Sequence, residues 1–235
     1  MYITLDIGNT LIKFATFSHE GEMLDWGQLD QAYHLGRTFE SATALGFCNV
    51  RGQRVPDFGG FTGAIMELAP GIRLPFENDY KTPNTLGTDR LAAAAGAVHR
   101  FPGKNVMVLD AGTCLKTEII TAGGHYLGGS ISPGMMMRYA ALHHYTGRLP
   151  EVEHKDFDAL IGQSTEESIL CGVQAGMVAE ATGRIAQLEP GFDDLHVVIT
   201  GGDGPMLAGK LKTRIFAEPL LHHYGIFHCL RLNGF

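Results

Sequence analysis

Two stretches of this 235-residue chain read alike: LDIGNTLIK at residues 5–13 and LDAGTCLKT at residues 109–117, with Asp6 answering to Asp110. A supersecondary unit that recurs in each half constrains the fold more than any single motif, because each copy has to build its own core. In the first copy an apolar strand ends at a carboxylate, Gly8-Asn9-Thr10 supplies turn residues, and residues 11–17 can return antiparallel. The second copy repeats the plan with residues 106–109, Asp110-Ala111-Gly112-Thr113 and residues 115–121. The sequence therefore predicts two similar α/β domains facing each other, residues 1–104 and 105–235, with the boundary near Pro102-Gly103-Lys104.

Helical signals lie between and after the two copies. Residues 87–99, GTDRLAAAAGAVH, have the alanine content of a packed helix, with Asp89 in its positive first turn. Residues 164–188 form the longest helical pattern: Ser164-Thr165-Glu166-Glu167 is an S-x-x-E capping box, and Ile169, Leu170, Val173 and Met177 make an apolar stripe that needs a partner. Residues 196–200 read as a strand, Gly201-Gly202-Asp203-Gly204 as a tight loop, and residues 205–212 as the opening of a helix with an early proline. GPMLAGK at residues 204–210 imitates the phosphate loop G-x-x-x-x-G-K. Leu211, however, stands where Ser or Thr must ligate magnesium, and Gly209 falls inside the helix, so that assignment is rejected.

A net charge of -7, with only 18 Lys and Arg, argues against a nucleic-acid partner held through phosphates. The four cysteines stand far apart without a C-x-x-C pair, so neither a zinc ribbon nor a disulfide framework is expected. No run approaches the roughly 20 apolar residues of a membrane span and no leader pattern opens the chain. The expectation is a soluble, cytoplasmic protein with no membrane partner. The histidines, including His143-His144 and His222-His223, form no H-E-x-x-H or regularly spaced cluster and are expected at the surface or an interface. Met135-Met136-Met137 reads as adaptable packing.

The repeated turn has its own chemistry. A buried ionised carboxylate is costly unless paired, so Asp6 calls for a nearby cation, either a side chain or a metal. Gly8 lets the backbone fold over a phosphate, Asn9 and Thr10 offer hydrogen bonds to phosphate oxygens, and Lys13 supplies charge. One such loop could be only a hairpin with an Asx-type turn. Two of them across a cleft would clamp a nucleotide, with Asp6 facing its magnesium directly or through water.

Taken in order, Asp6-Ile7-Gly8-Asn9-Thr10 with Lys13, Gly87-Thr88-Asp89-Arg90, Asp110-Ala111-Gly112-Thr113, the run Gly128-Gly129-Ser130-Ile131-Ser132-Pro133-Gly134, Ser164-Thr165 and Thr200-Gly201-Gly202-Asp203 resemble the type III pantothenate kinase family across essentially the whole chain. The resemblance implies two tandem RNase H-like domains of the acetate kinase, sugar kinase, Hsp70 and actin superfamily, with a nucleotide cleft between them, usually as homodimers. It implies transfer of the γ-phosphoryl group of ATP to pantothenate, the first step of coenzyme A synthesis. By position, Asp6, Ile7, Gly8, Asn9, Thr10, Leu11, Ile12 and Lys13, joined by Thr113, would bind ATP with Mg2+. Tyr80, Gly87, Thr88, Asp89, Arg90 and Thr165 would border pantothenate, with Asp89 as proton acceptor, and Asp110 would ligate a monovalent cation, K+ or NH4+. Ser164 departs from the asparagine that the family often carries before the threonine, and the segment after Lys212 matches no motif.

Two alternatives remain at this level: a non-catalytic ATP-binding accessory protein of the same fold, and a kinase for another small hydroxylated metabolite. Asp6, Lys13, Asp89 and Asp110 together argue for retained catalysis.

Overall fold

The computed structural model describes residues 1–29, 41–52, 58 and 60–235. The chain opens with β1 (Tyr2–Ile7), returns as β2 (Ile12–Phe17), and continues through β3 (Met23–Leu29), β4 (Ala44–Asn49) and β5 (Ala64–Glu67). These strands form one sheet in the order β3-β2-β1-β4-β5. Pairing is antiparallel through β3-β2-β1 and parallel through β1-β4-β5. A central β1 accounts for its unbroken apolar run, since Ile3 and Leu5 are wholly buried on a strand covered on both faces. Next come β6 (Glu77–Asn78) and α1 (Thr88–Arg100).

The second copy of the repeat forms β7 (Val106–Ala111) and β8 (Cys114–Ile120), followed by β9 (His125–Pro133), α2 (Met135–His144) and α3 (Thr165–Leu188). Then follow β10 (His196–Thr200), α4 (Gly204–Lys210), β11 (Ile215–Ala217) and α5 (Leu221–Leu232). The second sheet runs β11-β10-β7-β8-β9-β6, with β7 and β10 parallel and Asp110 level with Thr200. Gly209 lies inside α4, so GPMLAGK is helix and not a phosphate loop.

Two compact units result: Met1–Lys104 with Ile120–Gly128 and Leu220–Phe235, and Asn105–Ile119 with Gly129–Pro219. This corrects the expectation of a second domain running uninterrupted to residue 235. The cause is a backbone-to-backbone contact between α1 and α5. A Cβ on Gly225 would stand 1.9 Å from the Ala92 carbonyl oxygen, and one on Gly96 would stand 2.2 Å from that of Leu221. Such proximity is open only to glycine, and it seals Leu221, Ile226 and Leu230 at 0% exposure.

The first core gathers Ile3, Leu5 and Ile7 with Leu45 and Phe47. The second gathers Met107, Leu109 and Leu115 with the whole α3 stripe of Ile169, Leu170, Val173 and Met177. The stripe that called for a partner finds it within its own unit, where Met107, Leu109 and Ala111 of β7 and Leu115 and Ile119 of β8 join the same core.

The paired histidines divide. His143 and His144 are exposed as expected, whereas His222 and His223 are buried, which corrects their surface assignment. Both are buried on α5, and His223 Nδ1 is 2.8 Å from Thr4 Oγ1 on β1, whose side chain lies on the sheet face opposite Ile3 and Leu5. Burial holds His223 down at about 4, so the ring is neutral there. All four cysteines are free thiols, Cys48 and Cys229 buried. Among the described residues no helix is long and apolar enough to cross a membrane.

Candidate active site

In the first unit Asp6 stands next to last on β1, directly opposite Lys13 on β2 and level with Cys48 on β4. Opposed residues of antiparallel strands carry their side chains on the same face, about 5 Å apart at Cβ, so Lys13 shares the face of the sheet that carries Asp6. Asp6 is only half-buried, which lowers the desolvation cost that called for a cation. Cys48 Sγ donates to Asp6 Oδ1 at 3.3 Å. Burial first, and then the charges of Asp6 and Asp89, push the Cys48 thiol well up and keep it protonated.

The turn closes when Gly8 N donates to the Leu11 carbonyl at 3.1 Å. Ile7 and Ile12, the last paired residues, are buried, while Asn9, Thr10 and Leu11 form an exposed tip. The structure adds a residue that the sequence did not suggest. Arg51 Nε donates to the Gly8 carbonyl at 2.6 Å, its own backbone N–H donates to Asn49 Oδ1, and its Nη2 is buried with no hydrogen-bond partner. The signal was available, since Arg51 follows the carboxyl end of a parallel strand, where open α/β sheets bind ligands. It was missed because β4 was not recognised as a strand.

The end of β4 also fixes the start of α1. Thr88 Oγ1 accepts from Asn49 N at 3.0 Å. Asp89 is half-buried in the first turn, and its Oδ1 accepts from the Arg90 backbone N–H at 2.9 Å. Gly87 holds the cap position without a side-chain cap, so Asp89 does not serve as the N-cap. Arg90 is buried at 4% exposure, and its guanidinium sits 5.4 Å from the Tyr80 ring centroid, with Nη1 3.4 Å from the Tyr80 hydroxyl. Tyr80 is thereby brought to the G-T-D-R segment.

In the second unit Asp110 is buried next to the end of β7, and Lys116 Nζ from β8 lies 2.7 Å from its Oδ2. In each copy a lysine of the returning strand shares a face with a strand-end aspartate, and in the second copy the two form an ion pair. Thr113 is exposed at the turn, its carbonyl accepting from Gly134 N at 3.1 Å. Asp203 N donates to the Ala111 carbonyl at 2.9 Å, which ties the Gly-Gly loop to the same strand end. Thr200, level with Asp110, has a buried hydroxyl with no hydrogen-bond partner.

Thr165 opens α3, exposed, while Ser164 Oγ accepts from Glu167 N at 3.2 Å. The capping box is not reciprocal, because Glu167 accepts from Gln163 N and Glu166 pairs with Lys155. Beside Thr165 lies a cavity of about 750 Å³ lined by apolar Leu142, Tyr145, Leu149, Ile169 and Val173, with Arg138 at one wall. Arg138 is committed there to Glu180 and to the Pro133 carbonyl.

Residues 2–187 match a family model described as type III pantothenate kinase. A type III pantothenate kinase from Bacteroides fragilis is 36% identical over 248 aligned positions, covering 100% of this chain and 99% of its own. Among solved structures, a Campylobacter jejuni protein named as a Baf family transcriptional activator superposes with a TM-score of 0.61 at 23% identity, covering 98% of each chain. A 2-dehydro-3-deoxygalactonokinase from Sinorhizobium meliloti superposes with a TM-score of 0.60 at 14% identity, over 99% of this chain and 98% of its own. At these identities the structural likenesses establish the fold alone, the mixed α/β architecture expected from the sequence.

Proposed function

The chain belongs to the type III pantothenate kinase family and is a phosphotransferase that phosphorylates pantothenate in coenzyme A biosynthesis; from that premise we propose how its residues divide the work. Residues 6–13 hold the ATP phosphates, with the Lys13 ammonium and the exposed Asn9-Thr10 tip as their donors and Arg51 as a second positive group behind Gly8. Thr113 has a like role on the second unit's turn. Tyr80 and residues 87–90 border pantothenate, and Thr165 at the head of α3 receives its carboxylate.

Asp89 carries the chemistry, and the observation that supports this is its place in the first turn of α1, half-exposed, anchored through one oxygen to a backbone N–H and not spent on capping. As the pantothenate hydroxyl oxygen bonds to the γ-phosphorus, the bond from phosphorus to the ADP oxygen breaks and Asp89 takes the hydroxyl proton. Positioning and charge neutralisation supply most of the acceleration.

Magnesium fits Asp6. Its half-exposed carboxylate is a hard oxygen donor whose Oδ1 receives only a weak thiol donor. When bound, the ion would neutralise charge on the phosphates. An exchangeable K+ or NH4+ at Asp110, implied by the family resemblance, does not fit in the same way, because the Lys116 ammonium already meets that carboxylate. A homodimer is supported by the exposure of Tyr145, Leu160 and Ile161, at 82%, 84% and 78%. Light scattering tests it.

A coupled ADP-release assay with pantothenate, simple sugars and acetate tests the substrate. ADP release with pantothenate alone is expected. Turnover of a sugar without turnover of pantothenate would overturn the proposal.

A further inference from the structure

Asp110 is buried next to the end of a wholly buried strand, and a carboxylate there needs a fixed positive charge. The charge it meets is Lys116 Nζ at 2.7 Å, on a side chain that is itself only 14% exposed. Lys116 belongs to β8, which directly follows the Gly112-Thr113 turn, so the ammonium is delivered by the same hairpin that forms the loop. An alkylammonium is chemically a tethered ammonium ion: a compact monocation with hydrogen-bond donors for oxygen. The same neighbourhood holds a second oxygen, the buried Thr200 hydroxyl, level with Asp110 and without a partner.

We propose that Lys116 is a built-in replacement for the exchangeable monovalent cation at Asp110, so that this enzyme works without added K+ or NH4+. The proposal rests on the kinase function above, but its central readout does not depend on which acceptor is phosphorylated. Lys116→Met removes the ammonium that Asp110 meets while keeping the stem's apolar bulk, and the Asp110 carboxylate and the Thr200 hydroxyl remain as two hard oxygen donors on adjacent strands. That is the kind of site a free K+ or NH4+ occupies. Lys116→Met is therefore expected to acquire a cation requirement that the natural chain lacks.

The experiment uses full-length protein freed of alkali cations and ammonium, with magnesium retained, at constant ionic strength in choline, sodium, potassium or ammonium chloride. Turnover is followed by ADP release, and cation binding is read independently from the thermal unfolding midpoint. The natural chain should keep its turnover within about twofold and its midpoint unchanged across the four salts. Lys116→Met should be slow in choline, regain about tenfold or more in potassium or ammonium, and show a saturable rise in midpoint with the same cations. The double variant Lys116→Met with Asp110→Asn should lose that rise. Lys116→Gln, which keeps a polar tip without the charge, provides a second test and should behave like Lys116→Met. A natural chain that needs potassium or ammonium, with a saturable dependence in turnover and midpoint, overturns the proposal. So does a folded Lys116→Met enzyme indifferent to all four salts. Absence of pantothenate turnover in every salt would instead strike at the substrate assignment, while the midpoints would still report on the cation.

Discussion

Arg51 Nε donates to the carbonyl oxygen of Gly8 at 2.6 Å, joining the end of β4 to the turn between β1 and β2. The contact fixes the backbone of the turn and leaves the guanidinium Nη2 buried without a partner of its own. A buried, unsatisfied cationic donor costs stability and persists where a ligand uses it. Arg51→Gln should raise the Michaelis constant for ATP about tenfold while changing that for pantothenate much less. Steady-state kinetics with each substrate varied in turn checks this, and equal effects on both constants would reduce Arg51 to a structural brace.

Asp89→Asn keeps shape and the acceptor oxygen for the Arg90 backbone N–H but removes the charge proposed to receive the hydroxyl proton. Turnover should fall by about two orders of magnitude or more with the fold intact. Rates are to be compared at matched circular dichroism. Near-normal turnover in a folded variant would falsify the base assignment.

What the sequence disclosed follows from the range of the interactions involved. The β1-β2 turn, the start of α1 and the Ser164 cap are encoded within a few neighbouring residues, so periodicity and turn chemistry located them. The return of α5 to the first unit rests on Gly96 and Gly225, which are 129 positions apart, and nothing local to either reveals the contact. The same holds for Arg51 and Gly8, joined only because β4 lies parallel to β1. His223 looked like a surface residue for the same reason: its partner Thr4 lies at the other end of the chain. The residue-type pattern identified Asp6, Asp89 and Asp110, but the Lys116 ammonium that meets Asp110 emerged only from the structure.

The α1-α5 contact makes a sharp stability prediction. In Gly225→Ala the new Cβ would meet the Ala92 carbonyl oxygen at 1.9 Å, and relief requires the two helices to separate. Overpacking of this kind should cost about 3 kcal/mol. Denaturant unfolding would measure it. Because α1 carries Asp89 in its first turn, turnover should fall at temperatures where the variant is still folded. A variant as stable as the natural chain would mean that the helices can part freely.

His223 gives the fold a sensitivity to acid. Its value in the folded state lies near 4, below the ordinary 6.5, mainly because of burial, with His222 and Lys13 pushing the same way and Asp6 opposing them. Above pH 6.5 the ring is neutral in both states and contributes no pH dependence. As the pH falls below 6.5 the unfolded chain takes up a proton that the folded chain refuses, so stability declines until about pH 4, by about 3 kcal/mol in total. His99 and His228 are lowered by burial too, so the measurement has to be a difference. His223→Gln, which can still bond Thr4, should flatten the slope of stability against pH between 6.5 and 4. An unchanged slope would assign the acid sensitivity elsewhere.

Thr165 is the proposed site residue whose surroundings bear most on the acceptor. Ser164 takes the capping role by accepting from Glu167 N, so the Thr165 hydroxyl stands at the positive end of a 24-residue helix without being spent on the cap. The two glutamates of that first turn would repel an anion, but each is engaged, Glu166 by Lys155 and Glu167 by the Gln163 backbone N–H. Next to this polar spot the cavity is walled by Leu142, Ile169 and Val173, which suits an acid with a branched aliphatic body better than a sugar. Thr165→Val keeps the volume and β-branching and deletes only the hydroxyl, so it should raise the Michaelis constant for pantothenate about tenfold and leave that for ATP nearly unchanged. Filling the cavity with Val173→Phe should act on the same constant and in the same direction, with an intact fold checked by thermal unfolding. If both variants leave the pantothenate dependence untouched, the head of α3 and its cavity play no part in binding the acceptor.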